Sequence, residues 1–530
     1  MKREQNIQTL TDHSLSWDTI IIGGGATGIG CAVDAASRGY KTVLLEQADF
    51  TKSTSSKSTK LVHGGVRYLA QGDIGLVTDA LRERGFMRKN APHLVKDQRF
   101  IIGNYKWWEK PFYTIGLIMY DMLAGKRGLG RSFPLRKQKV IQDIPQIREK
   151  ELKGGVVYHD GQFDDSRLAI NLLQTATEHG ATVVNYVKVI DLIKNESHKI
   201  TGVKLRDELN GQTFTLYGKS IINATGVFVD EIMRLDSPGK SDIVRPSQGV
   251  HLVVDNSFLG GDTALMIPKT NDGRVMFAVP WHNKVVLGTT DTPLNASTLE
   301  PKALEEEIDF ILQTAGNYLK KKPQREDVLS VFAGLRPLAA PKKDSDKKKT
   351  KEISRSHKII TSASGLITIT GGKWTTYREM AEEVIDKAIS ISNLTYRKCI
   401  TRDLPVHGYK KEVDRKQFQY VYGTDFDKIL DLLHEDQTWS QPLHPEYEYI
   451  AAEVIWAVRE EMAMTIEDVL ARRLRLLFLD TRAAIDIAPK VASLMATEMD
   501  KDASWEENQI KEFTLLAQNY LLVPYKQTNE

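Results

Sequence analysis

Trp17 to Gln47 reads WDTIIIGGGATGIGCAVDAASRGYKTVLLEQ, and its order of residue types decides the fold. Thr19 to Ile22 is a short apolar, β-branched run, as a buried parallel strand needs. Gly23, Gly25 and Gly28 follow in GxGxxG spacing. Ile29, Ala32, Val33 and Ala36 then recur at helical period, stopped near Gly39. A second strand is predicted over Thr42–Leu45, ending at Glu46. Gly23 makes the tight turn, Gly25 lets a pyrophosphate approach the backbone beside Ala26 and Thr27, and Gly28 lets helix and strand pack closely. The helix N-terminus supplies amides and partial positive charge to the phosphates. Glu46 is placed to accept ribose hydroxyls, and an acid there disfavours a 2′-phosphate. Strand, glycines, helix, strand and terminal acid together mark a dinucleotide site. They do not separate NAD from FAD.

The 530 residues exceed what one core needs and predict a large domain plus at least one more. A net charge of +3 gives no support for a nucleic-acid partner. The two cysteines, Cys31 and Cys399, fit a reducing compartment. Metal-ligand spacings are absent, so no metal is expected. The polar N-terminus lacks the apolar core of a signal peptide, and no apolar run is long enough for a transmembrane helix. Trp107 to Arg127 (WWEKPFYTIGLIMYDMLAGKR) is the nearest approach. From pattern alone we read it as a buried helix with a solvated end, in preference to an interfacial helix lying on a membrane.

After Glu46 comes FTKSTSSKSTKLVHGGVRYLAQG, with seven hydroxyl residues between Thr51 and Thr59. Hydroxyls and amides in such a loop can hold a second pyrophosphate edge or a ribityl chain. Ile221–Gly226 (IINATG) reads as a buried strand ending in small residues. Gly365–Lys373 (GLITITGGK) reads as a strand ending in two glycines. A helical pattern over Thr375–Ile389 follows it, well placed to aim amides at negative charge.

Together IIGGGATGIG, TSSKSTKLVHGGVRYL, INATGVFVD, VPWHNKVVLGTTDT, FAGLRPL, ISRSH, TGGKWTTYREMAE and EVIWAVREEMAMTIEDVLARRLRLLFLD resemble the FAD-dependent glycerol-3-phosphate dehydrogenases, within the D-amino-acid-oxidase-like flavoenzymes. The resemblance spans about Trp17 to Asp480. It implies an α/β fold in which a Rossmann-type FAD-binding domain is interleaved with a β-sheet-based substrate domain, plus a C-terminal all-α domain. FAD-binding segments are expected at about 17–100, 155–245 and 356–391. Substrate segments are expected at about 101–154 and 246–355, and helices over 392–530. The cofactor contacts it implies are Gly23, Gly25, Ala26, Thr27, Gly28, Glu46, Thr54, Ser55, Ser56, Ser58, Lys60, Leu61, His63, Gly64, Ala224, Thr225, Gly226, Gly372, Lys373, Trp374 and Thr375.

The implied reaction oxidises the C2 alcohol of glycerol 3-phosphate to dihydroxyacetone phosphate, by hydride transfer to flavin N5. A phosphate dianion needs fixed cations, and an arginine fork suits its oxygens. Arg67, Arg336, Arg355 and Lys373 lie inside matching motifs and are the expected substrate ligands, with Tyr68 beside Arg67. A base must take the C2 hydroxyl proton. We favour His63 for it over His251, with Arg336 near the developing ketone oxygen. Electrons are expected to pass to a membrane quinone. The alternative is an oxidase that makes hydrogen peroxide. The resemblance also implies a cytoplasmic protein held peripherally on the inner face of the cell membrane. The lysine-rich PKKDSDKKKTKE, Pro341–Glu352, reads as a solvated loop. Thr465 and Asp468 form a capping-box pattern at a helix start. The helical domain is read as structural packing, with homodimer formation a second role open to it.

Overall fold

The computed structural model describes residues 1–12, 15–69, 72–270, 273–339 and 357–524, without the side chains of Arg67, Tyr68 and Ala339. The lysine-rich stretch and Arg355 lie outside the described residues.

The strand Ser16–Ile22 is central to the first sheet. It pairs in parallel with Thr42–Leu45 on one side and Thr213–Asn223 on the other, with Ile20 opposite both Val43 and Ile221. Thr182–Val184 extends the sheet beyond Thr42–Leu45, and Ile367–Thr370 extends it beyond Thr213–Asn223, again in parallel. Strands buried on both faces read as continuous apolar runs, which is why III and VLL were legible. The helix Ala26–Ser37 packs between Asp165–Glu178 and Tyr377–Ile391. Their Ala, Val, Leu and Ile side chains form one core with the sheet. All four strand ends at Ile22, Leu45, Asn223 and Thr370 open on the same edge, where a ligand of such a sheet binds.

The second sheet is mixed and, among the described residues, has ten strands. Its longest pair, Val244–Asp255 and Val328–Ala339, is antiparallel, with Ser247 opposite Arg336, Gly249 opposite Gly334 and His251 opposite Phe332. Side chains alternate along a strand, so these six residues share one face. The strand Gly154–Gln162, placed by the expected limits with the FAD-binding segments, pairs with Lys96–Asn104 in this second sheet. The chain therefore returns to the first sheet after Gln162, later than the expected limit near residue 155.

From Asp425 on, the described residues are mainly helical, with one small hairpin, Pro442–His444 with Tyr447–Ile450. The longest helices there are Thr481–Glu498 and Ala503–Ala517. The capping pair forms: Asp468 N–H donates to Thr465 Oγ1 (3.2 Å), and Thr465 N–H to the Asp468 carboxylate (3.1 Å). The turn that follows, Asp468–Arg473, is a π-helix.

The helix over Glu109–Ala124 corrects a sequence expectation. It buries only Leu117, Tyr120 and Ala124. Trp107, Phe112, Ile115 and Met122 are 80, 60, 63 and 74% exposed. Its apolar residues are too many for one core-facing stripe, so a second apolar face is left on the outside. Among the described residues no helix is long and apolar enough to cross a membrane.

Candidate active site

A cavity of about 670 Å³ opens where the two sheets meet. Its dinucleotide end is built by the glycine turn. A Cβ on Gly28 would lie 1.9 Å from the Gly23 carbonyl oxygen, so only glycine allows the helix to start this close to the strand. Ala26 N–H donates to Ser55 Oγ (2.9 Å). Glu46 ends its strand at the cavity and accepts from Gly24 N–H (2.6 Å) and Ala48 N–H (3.0 Å). Burial pushes its carboxyl above the usual range, while the amides of Ala48 and Gly24 oppose the shift. A carboxylate has about four acceptor sites, so capacity remains for ribose hydroxyls.

Opposite lie Ala224, Thr225 and Gly226, at the end of the Thr213–Asn223 strand. Gly371 and Gly372 also line the cavity, at φ of 81° and 78°, where a side chain would be strained. A Cβ on Gly372 would also meet the Met380 sulfur at 2.3 Å. That left-handed pair turns the strand into the short Trp374–Thr376 turn and the helix Tyr377–Ile391. Lys373, Trp374 and Thr375 line the cavity there, and Trp374 Nε1 donates to the Ser55 carbonyl (2.8 Å). Two helix starts thus converge on one space, from the first and the last parts of the sheet.

The other end of the cavity is the shared face of the long ribbon. Gly249, His251, Gly334 and Arg336 all line the cavity. The Arg336 guanidinium occupies the room left by Gly249, whose Cβ would lie 2.2 Å from it. It donates to Thr289 Oγ1 (3.1 Å) and lies 3.6 Å from Asp291. His251 stacks on Phe332, with ring centroids 5.0 Å apart, and its Nε2 meets Thr59 Oγ1 at 2.8 Å. Burial, with Lys60 and Arg336 nearby, holds its pKa well below the usual value, so the imidazole is neutral. His251 Nδ1 is buried and has no hydrogen-bond partner among the described residues. His63 is half-buried and lines the cavity, and its carbonyl accepts from Thr375 Oγ1 (3.5 Å). Phe100, Tyr158, Met266 and Phe277 make an apolar wall.

Of the expected cofactor contacts, Gly23, Gly25, Ala26, Thr27, Glu46, Thr54, Ser55, Ser58, Leu61, His63, Ala224, Thr225, Gly226, Gly372, Lys373, Trp374 and Thr375 lie around this one cavity. Four do not. Gly28 serves packing. Ser56 is buried, its carbonyl accepting from Lys60 Nζ (2.6 Å) and Arg475 (2.9 Å). The Lys60 ammonium is fully buried against Asp165 (2.7 Å), away from the cavity. Gly64 donates its N–H to Tyr120 Oη (2.8 Å). Sequence position placed them near the flavin, but burying Asp165 required a cation, and Lys60 supplies it. Arg67 and Tyr68 lie on the short helix Val66–Leu69, with side chains outside the described residues. Arg274, Asp291 and Thr59 face the site and were not singled out. Asp291 and Thr59 stood inside the quoted motifs; Arg274, in NDGRVMF, carried no signal beyond an ordinary surface cation.

The residues present fit a flavin dinucleotide: two helix starts, a hydroxyl-rich edge, a ribose-side acid and an orphaned buried nitrogen around one cleft. Fold and site together define an FAD-dependent oxidoreductase. Residues 18–378 match the family model of FAD dependent oxidoreductases, and residues 365–508 match that of the C-terminal domain of alpha-glycerophosphate oxidase. The probable mitochondrial glycerol-3-phosphate dehydrogenase of Caenorhabditis elegans is 40% identical, over 96% of this chain and 74% of that protein. The mitochondrial glycerol-3-phosphate dehydrogenase of Homo sapiens is 38% identical, over 96% of this chain and 74% of that protein. The crystal structure of the Bacillus halodurans glycerol-3-phosphate dehydrogenase complexed with FAD superposes with a TM-score of 0.80, at 28% identity, over 99% of both chains. This chain belongs to the family of FAD-dependent glycerol-3-phosphate dehydrogenases, and its cofactor is FAD.

Proposed function

We propose that the chain oxidises sn-glycerol 3-phosphate at C2 to dihydroxyacetone phosphate and delivers the electrons to a membrane quinone. The observation that carries the substrate reading is the set of cations on the cavity wall, Arg336, Lys373 and Arg274, beside a complete dinucleotide cradle. Several fixed cations suit a phosphate dianion and have no use for an amine substrate. Bound FAD supplies the acceptor for the C2 hydride and its electron pair.

The chain's own groups divide the remaining work. Lys373 and Arg336 neutralise and orient the phosphate end, joined by Arg67, Tyr68 and Arg355 in this reading. His63 takes the C2 hydroxyl proton. His251, kept neutral by burial and neighbouring cations, suits a hydrogen-bonding role better than a proton-holding one. Arg336 stabilises the oxygen as it becomes a carbonyl.

The quinone reading rests on the outer helix. The exposed face of Glu109–Ala124 is flanked by Lys106, Lys126 and Arg127, also exposed. Apolar surface rimmed by cations suits peripheral seating on an anionic, cytoplasmic membrane face. On its inner side Leu117 and Tyr113 pack with Phe100 and Tyr158, which are themselves cavity wall. An apolar acceptor thus meets apolar side chains between lipid and flavin. Anaerobic mixing of the yellow protein with glycerol 3-phosphate should bleach the flavin within the mixing time. Bleaching by an amine and not by this substrate would sink the substrate reading. Fast reoxidation by air with peroxide release, instead of by a short-chain quinone, would make the protein an oxidase.

A further inference from the structure

We infer that the C-terminal domain is a working part of the flavin site. Arg472, Arg473 and Arg475 grip both ends of the segment Asp49–Lys60, and Arg475 is a positioning residue for the FAD-lining residues between them.

That segment makes much of the cofactor wall. Thr51 to Ser55 and Lys57 to Thr59 all line the cavity. Yet its only regular structure is the single turn Thr54–Ser56. A hydroxyl-rich run with so little backbone pairing loses much entropy on ordering and needs outside contacts to hold one shape.

Those contacts come from the side away from the cavity. At one end, Arg473 donates to both Asp49 oxygens (2.7 and 2.9 Å), and Arg472 also bonds this carboxylate. At the other end, Arg475 donates to the Ser56 carbonyl (2.9 Å) and to Asp165 (2.8 Å). Asp165 in turn accepts from Lys60 Nζ (2.7 Å) and Ser58 Oγ (2.6 Å). Thr59, next in the chain, is the residue bonded to His251. The middle is tied by Lys52 to Glu467 (2.6 Å), and by Lys57 to Glu300 (2.8 Å), which also accepts from Tyr520 Oη (2.8 Å). The three arginines and both aspartates are buried.

The backbone that delivers the arginines is unusual in the same place. Arg472 and Arg473 end the π-helix, and Arg475 sits in left-handed conformation at φ 71°. A wide turn followed by a left-handed residue brings three arginines of ARRLR into one buried layer. π-turns and left-handed non-glycine residues are costly and cluster at functional sites. Simple domain packing is met as well or better by apolar side chains. The same layer that holds the domain on thus sets the shape of the cofactor wall.

Full-length Arg475→Met and Arg475→Lys proteins test this, beside Arg459→Met as a control. Arg459 pairs with Glu498 and Glu435 in the same domain, away from the segment. Each protein is stripped of FAD and titrated with it, following flavin fluorescence and the visible bands. Amide exchange over residues 51–59 is read in the apoproteins. Arg475→Met should bind FAD about tenfold or more weakly, with shifted flavin bands and faster exchange in the segment. Arg475→Lys keeps the charge but has a shorter reach and loses the second guanidinium nitrogen, which donates to the Ala471 carbonyl (2.9 Å), so an intermediate loss of about fivefold is expected. The control should stay within about twofold of the parent whatever its melting temperature. FAD affinity within twofold of the parent and an unchanged spectrum, in either Arg475 variant that folds, would overturn the inference. So would an equal loss in the control.

Discussion

Two helices of this chain are both largely apolar and meet opposite fates. Ala26–Ser37 buries ten of its twelve residues, whereas Glu109–Ala124 buries three of sixteen. The difference lies in side-chain size and in what stands around. Apart from Thr27, Asp34 and Ser37, the first helix is made of Gly, Ala, Cys, Val and Ile, small enough to fit between two other helices and a sheet. The second carries Phe, Tyr, Ile and Met on more than one face, and only one face has the protein behind it. Apolar content alone does not place a helix; its width against the space available does. The inner helix layer borders the cavity, and the outer helix meets the surroundings.

The strongest way to break this contrast is to thicken the inner helix. Gly28→Val places carbon against the Gly23 carbonyl, and no flavin-containing protein should be recovered, a loss above about 3 kcal/mol. Flavin absorbance of the purified protein and its melting curve check this. Next in size is Lys373→Ala, at the entry to the inner helix Tyr377–Ile391. It should raise the glycerol 3-phosphate concentration for half-maximal flavin bleaching about 100-fold, near 3 kcal/mol, with FAD retained. Unchanged bleaching would remove Lys373 from the substrate site.

The outer helix should respond in a different currency. Ile115→Ser with Met122→Ser should lower binding to anionic vesicles about tenfold or more, while anaerobic bleaching in solution keeps its rate. Reduced bleaching instead would mean that the helix serves the site and not the lipid.

The smallest effect concerns the margin of the inner layer. His407 bonds Glu178, at the end of Asp165–Glu178, and Asp425 (2.6 Å). Burial lowers its pKa, but Asp425 and Glu178 outweigh this and raise it above the usual 6.5. The imidazolium therefore adds stability that is complete below pH 6.5 and is lost as pH rises through the raised value. His407→Gln should flatten that slope in a melting-temperature series from pH 5.5 to 9. A parallel curve would show that the pair is inert.

Much of the inner layer was legible in the sequence because its signals are local. Glycine spacing, an apolar strand and a terminal acid lie within thirty residues, and each has one physical use. The ribbon side of the cavity was legible only in pieces, since strand register brings His251 and Arg336 to one face, and no short window contains that register. Lys60 and Ser56 misled because their partners, Asp165 and Arg475, lie far along the chain. The outer helix is misread from its pattern because nothing local signals that the protein covers only one of its sides.

The pairing of Val244–Asp255 with Val328–Ala339 has one further consequence. The site is written in it as a parity: odd numbers from Ser247 to His251 and even numbers from Phe332 to Arg336 share the cavity side. One residue inserted within either strand, between Ser247 and His251 or between Phe332 and Arg336, would break this alternation. A shift of either alone would send its histidine or its arginine to the opposite side in a single step. This side of the cavity is inherited as one arithmetic unit, and single-residue insertions or deletions in these strands should be far rarer among working sequences than substitutions.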